Sequence, residues 1–425
     1  MKKKTMIASL AALVLAAAVL LSGCGITPVV TQNTAAPAAS TAPTGASVTP
    51  SEASSASTIS AGQEDLFTKR ELSQTADLTE AAEITVADGK TVTITEAGVY
   101  VLRGSAKNAQ VVVDAGDEDK VQLVLSGVSI VNTDHPCILV ENADKVFLTS
   151  AEGTDNILTV SGKFSGDEDA AVFSRDDLVL NGLGAVTIRS TGDGVRTNDD
   201  LKLTGGVWNV NASNTALKAH DGILAYDGEY VLKAGSDGLH AEDNEDDTTG
   251  SIMIEGGSFT IQVGDDGIHA VTTATINGGT LSVSAAEGIE ATQVVINGGE
   301  IRIDATDDGI NAGRKSKALD VKIEINGGSV TIAMGAGDTD GIDSNGDLII
   351  TGGTISITGQ SPFDYDGSCT HTGGTLIVNG QETDTVTNQM MGGGMMGGPM
   401  GGGQGAHGRQ PGGFGGFGGF GGKKS

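Results

Sequence analysis

Residues 266–310 read DGIHAVTTATINGGTLSVSAAEGIEATQVVINGGEIRIDATDDGI. One phrase occurs three times, as DGI at Asp266, EGI at Glu287 and DGI at Asp308, with 21 residues between successive starts. Between them lie two copies of a second phrase, INGGTLSV at 276–283 and INGGEIRI at 296–303. Working outward, the first phrase returns at Asp193, Asp237 and Asp340, and the Gly-Gly phrase at 203–210, 254–261, 325–332, 350–357 and 371–378. Asp193 to Asp237 is 44 residues, two units of 22 with a degenerate middle unit around TALKA at 215–219. The steps of 29 from Asp237 and 32 from Asp308 are one unit plus an insertion. A fixed period of this size marks a solenoid.

Inside each unit apolar residues alternate with polar ones, as Ile276, Leu281 and Val283 do. Period-two alternation makes strands with one buried face. No helical periodicity runs between 84 and 380, and the LxxLxL spacing of leucine-rich repeats is missing. Asn-Gly-Gly and Asp-Gly supply turn positions that tolerate positive φ. The fold expected is all-β, a parallel β-helix with laps of about 21–22 residues and a stacked core of Ile, Val and Leu. Trp208, Tyr230 and Phe259 fall in the inward file of the Gly-Gly phrase and are expected in that core.

The rest of the chain frames this domain. Residues 1–23 read as a secretory leader, with Lys2, Lys3 and Lys4 before an apolar run from Met6 to Leu21. Leu21-Ser22-Gly23-Cys24 resembles a bacterial lipobox, which implies cleavage before Cys24 and a lipid on its sulfur. The protein is then extracytoplasmic and held at the cell membrane by its lipid anchor alone, on the cell surface. A plain membrane anchor is the other reading of the apolar run. Residues 24–63, rich in Ala, Ser, Thr and Pro, are a disordered tether. The β-helix is expected over 64–380, its first lap capping the open core end. A Gly-, Met- and Phe-rich tail at 381–425 reads as disordered. Cys137 and Cys369 lie many laps apart, so no disulfide is expected.

Fifty-four Asp and Glu against 25 Lys and Arg give a net charge of −29, which argues against nucleic acid as a partner. The acids are patterned. Stacking of laps puts Asp193, Asp237, Asp266, Glu287, Asp308 and Asp340 in one ladder, with Asp265 and Asp307 just before two of its rungs. The Ile of DGI points inward, so the residue after it points out. That outward file is Arg196, His240, His269, Glu290, Asn311 and Asp343. Carboxylates at lap spacing, ~5 Å apart, repel unless protonated or bridged. Ca²⁺, with six to eight oxygen ligands, is the expected bridge. The insertion 242–247 adds Glu242, Asp243 and Asp246 as a second possible calcium cluster. The competing reading is that Asp-Gly is a turn and the acids are a solvated face.

GVYVLRGSAKNAQVVVDAGDEDKVQLVLSGVSIVN at 98–132, CILVENADKVFLTSAEGTDNILT at 137–159 and DAAVFSRDDLVLNGLGAVTIRSTGDGVRTNDDLKLTGG at 169–206 resemble the bacterial carbohydrate-binding β-helix lipoproteins. The resemblance covers roughly residues 80–380. It implies a right-handed, pectate-lyase-like β-helix, bound calcium and affinity for plant cell-wall polysaccharides of the pectate or cellulose kind, with lyase activity not the established role. A polyanion facing this acidic chain would need Ca²⁺ between protein and sugar carboxylates. His240, His269, Glu290 and Asn311 are candidates to bind sugar. Few aromatic platforms exist: Tyr226, Phe363 and Tyr365 remain once the inward rings are set aside. Two other classes stay open. A Ca²⁺-dependent uronate lyase would use Lys218 or Arg196 as its base, and a structural or adhesive envelope rod would need no site.

Overall fold

The computed structural model describes residues 66–335 and 339–388. The leader, Cys24, the tether and the tail beyond residue 388 lie outside them. Among the described residues there is no helix, and 34 strands belong to one continuous sheet. Through most of the domain each strand pairs in parallel with the third strand after it. Asp177–Gly182 pairs with Asp200–Leu203, and Ala185–Ser190 with Val207–Ala212. A lap therefore has three strands and three parallel faces, and the chain is a parallel β-helix.

The register follows the sequence period. Leu217, Leu239, Ile268, Ile289, Ile310 and Ile342 stack in one column. The segment 215–219 is a true lap, with Leu217–Ala219 paired to strands on both sides. The two long steps carry insertions at 242–250 and 313–321 while the column continues beneath them. Leu239, Ile268, Ile289, Ile310 and Ile342 are fully buried, each contributing about 1.5–3 kcal/mol of burial. Trp208, Tyr230 and Phe259 are in the core as expected. The Trp208 Nε1–H donates to the Gly205 carbonyl at 2.9 Å, and the Tyr230 and Phe259 rings stack at 4.8 Å. Cys137 and Cys369 are free, and burial pushes the Cys137 thiol up to about 12.

The two glycine phrases do different work. The second Gly of each Gly-Gly pair has positive φ, +86° at Gly279 and +90° at Gly299, a true turn position. The Asp-Gly glycines do not. A Cβ on Gly267 would lie 2.3 Å from Val283 Cγ1 and 2.5 Å from the Gly288 carbonyl oxygen. Asp-Gly is thus not a turn, against the expectation; its Gly lets one lap's backbone pass close to the next. The Asn that precedes three of the Gly-Gly pairs is also structural. Asn297 donates to Asn277 at 2.8 Å and Asn326 to Asn297 at 2.9 Å, a side-chain ladder along the edge.

Both ends hold surprises. Residues 66–75, ahead of the first lap, lie across the flank of laps between 145 and 226. Phe67 is buried there, edge-on to Tyr226. Glu71, with no exposed surface, pairs with Lys145 and Lys202. Burial works against the Glu71 charge, but its hydrogen bonds and the two lysines hold the carboxyl below its ordinary range. At the other end the fold runs past residue 380. Gln381–Thr383 folds back antiparallel on Thr375–Val378, and the Asn388 amide donates to the Tyr365 carbonyl at 2.7 Å.

Candidate functional site

The outward file is continuous over consecutive laps. Backbone pairing runs Arg196 to Lys218 to His240 to His269 to Glu290 to Asn311 to Asp343 to Asp364. The ladder residue three positions earlier stands beside each rung. The two columns touch directly: Asp237 Oδ2 lies 2.7 Å from His240 Nδ1, and Asp266 Oδ2 lies 2.6 Å from His269 Nδ1.

Ladder carboxylates also bind the next lap. Asp237 accepts the Asp266 N–H at 3.1 Å, Asp308 accepts the Asp340 N–H at 3.0 Å, and Asp193 accepts the Thr215 N–H at 3.0 Å. Asp340 is hydrogen-bonded to Ser361. The ladder's like charges are therefore partly met by backbone donors, a relief that lap spacing alone does not reveal. Asp265 and Asp307 are exposed beside it.

The file divides by charge. Its middle part is compensated. The His240 and His269 rings stack at 4.6 Å, 8° from parallel. His240 Nε2 faces Glu242 at 3.1 Å. His269 Nδ1 also lies 2.9 Å from Glu290 Oε2, and the Lys315 ammonium pairs with Glu290 Oε1 at 2.5 Å. Burial opposes the His269 charge, yet the hydrogen bonds and charges of Asp266 and Glu290 raise it to about 10. Burial would raise Glu290, but His269 and Lys315 hold it at about 2. Asp237 is lowered too, its burial outweighed by His240.

The C-terminal part is not compensated. Burial and the Glu290 charge push Glu287 up to about 7. Burial, with Asp307 and Asp340 near, raises Asp308 to about 6. Burial, then Asp308, Asp340 and Asp364, raises Asp343 to about 7. Here two side-chain oxygens, Asn311 Oδ1 and Asp364 Oδ1, are buried with no hydrogen-bond partner among the described residues. Such atoms call for an ion or water. An all-oxygen donor set with orphaned oxygens and mutual repulsion fits Ca²⁺. The histidine part, already holding its own cations, does not.

The two insertions wall a cleft of about 640 Å³ beside the histidines, within the range of ligand sites. Glu242, Asp243, Glu245 and Asp247 line one side, and Arg314, Lys315 and Lys317 the other. Asp246 turns into its own loop, accepting the Thr248 N–H at 2.9 Å, so the insertion's acids do not converge as one cluster. Lys315 is a basic residue at the ladder in addition to Lys218 and Arg196, the two that the sequence singled out. The signal was present in the 32-residue step and the RKSK run at 314–317. Arg196 pairs with Asp169 at 3.0 Å and lies over the Phe173 ring.

The aromatic platforms do not hold. Phe363 replaces the inward Ile in the column below Ile342 and is buried. Tyr365 lies in the inward column beside Ser344, partly buried against the core. Tyr226 is partly buried against Phe67. Each ring took the file that lap alignment assigns it, and that file faces the core or the flank rather than the outward one.

The family model described as carbohydrate-binding domain-containing protein matches residues 88–339, more than half of the chain. The chain belongs to this family. A curated relative of the same description, from Acetivibrio thermocellus, is 38% identical over 128 residues, 28% of this chain and 45% of the relative. The chain thus matches less than half of that relative's length. The solved structure of a polysaccharide lyase-like protein from C. thermocellum, a gadolinium derivative, is similar over 51% of this chain and 96% of that one, with 30% identity and a TM-score of 0.49.

Proposed function

We propose that the outward file is a carbohydrate-binding surface of a protein held at the cell surface through Cys24, and that calcium in its acidic segment joins it to acidic polysaccharide. The observation that carries this reading is the uncompensated oxygen cluster of Glu287, Asp308, Asn311, Asp343 and Asp364, with its two orphaned oxygens. These side chains would hold the ion. Bound calcium supplies positive charge that sugar carboxylates can share. The family's description as carbohydrate-binding supports the ligand class. The neighbouring cleft offers carboxylate acceptors and ammonium or guanidinium donors, both of which hydrogen-bond sugar hydroxyls.

The test is retention of the full chain on insoluble polygalacturonate and on cellulose, in calcium and in excess chelator. Retention on polygalacturonate that vanishes in chelator supports the reading. Equal retention in chelator removes calcium from it, and no retention on either polymer favours a structural role. Unsaturated uronate in the supernatant would move the protein to the lyases. Lys218, in the file between Arg196 and His240, is the basic residue whose Ala variant would then be tested first.

A further inference from the structure

We infer that Asp266, His269 and Glu290 form a site for a transition-metal dication of the Zn²⁺ class, chemically distinct from the calcium-fitting segment. One ligand atom from each of the three side chains lies within 4.8 Å of those of the other two. Asp266 Oδ2 and Glu290 Oε2 approach the same ring nitrogen, His269 Nδ1, at 2.6 and 2.9 Å. A single Nδ1 proton can point along only one of those lines. A cation taking the nitrogen lone pair is shared by all three atoms.

The donor set selects the metal. Hard Ca²⁺ takes oxygen ligands, whereas one imidazole nitrogen with two carboxylates suits Zn²⁺ and its neighbours. The three side chains are only 8%, 14% and 9% exposed, so water competes weakly for them. One support is of the kind found around metal ligands generally, the second oxygen of Glu290 being held by a neighbour. The His240 ring stacks on His269 and fixes its plane, and Lys315 holds the other oxygen of Glu290. Three protein ligands leave a position for water or a sugar hydroxyl.

His240 supplies an internal contrast. Its two carboxylates sit on opposite ring edges, Asp237 at Nδ1 and Glu242 at Nε2. They do not converge on one atom, and His240 joins two carboxylates of its own lap. The difference comes from one substitution along the file, a Glu at 290 where the next lap after His240 has His269.

The experiment uses the full chain without an affinity tag, stripped of metal and titrated with zinc in excess calcium against a chromophoric chelator. One zinc is expected per chain, with affinity rising with pH as the metal displaces a proton. Loss of an outer-shell partner alone typically weakens a site by about 10–100-fold, so His269→Gln should lose at least that much. Asp343→Asn should retain the site, and His240→Gln, which removes only the stacked ring, should weaken it by less than His269→Gln does. X-ray absorption of the wild-type zinc complex should show one nitrogen and two carboxylate ligands, independent of how any variant folds. No zinc uptake by the wild type, or unchanged uptake by His269→Gln, overturns the inference. Carbohydrate retention plays no part in this test, so the calcium reading stands or falls separately.

Discussion

The histidine segment and the acidic segment lie on one face of the same β-helix, yet they handle charge in opposite ways. Around His240 and His269, four carboxylates meet two imidazoles and Lys315. A few laps on, the partners at the same register are Asn311, Asp343 and Asp364, with no cation paired to them among the described residues. The backbone under the file repeats, so the difference lies in its side chains and in what the insertions add, Glu242 and Lys315. A solenoid can thus carry separate electrostatic environments at lap spacing, one whose carboxylates meet protein cations and one whose oxygens suit calcium.

The largest expected effect is on stability against pH in chelator. Glu287, Asp308 and Asp343 have folded values raised to about 7, 6 and 7. The folded state then holds more protons than the unfolded chain, so these groups lower stability as pH rises from about 4 through 7. In the histidine segment burial raises Asp266 to about 6 as well, but Glu290 and His269 have the opposite limits. Glu290, held at about 2, stabilises above the ordinary carboxylate range and loses this as pH falls toward 2. His269, raised to about 10, stabilises fully below about 6.5 and loses this as pH rises through 10. Thermal melting in chelator should therefore peak at the acid end, near about pH 4, and fall toward neutral, and calcium should move the peak toward neutral. A calcium-independent optimum would erase the contrast.

Substitutions sharpen it. Glu290→Ala should destabilise by about 2 kcal/mol, because it strips two cations of their shared carboxylate. Asp343→Asn should have the opposite sign, stabilising the chelated protein at pH 7 by on the order of 1 kcal/mol while abolishing the rise in Tm with calcium. His240→Gln, which keeps one hydrogen bond of two, should cost only about 0.5–1 kcal/mol and leave the calcium response unchanged. Denaturant melts of the three variants, with and without calcium, check all three.

Much of this was legible in the sequence because a solenoid turns period into geometry. The 21-residue step placed Asp266, Glu287, His269 and Glu290 in their columns, and the inward file correctly took Trp208. What escaped was whatever the repeat does not encode. Asp-Gly reads as a turn locally, and only stacking reveals that Gly267 has no room for a side chain. Lys315 sits outside the period, in an insertion, and reaches Glu290 through the fold. The strap at Glu71 contacts residues more than 70 positions away, beyond any local pattern. Phe363 and Tyr365 follow the same alternation, in register with the inward Ile342 and Ser344.

The most direct test of the central claim is a calorimetric titration of calcium into the chelator-stripped protein, wild type against Asp308→Asn/Asp343→Asn. The account predicts saturable calcium binding in the wild type, its loss in the double variant, and parallel loss of calcium-dependent retention on polygalacturonate. Wild-type calcium binding and retention in the double variant would show that the acidic segment is a solvated face.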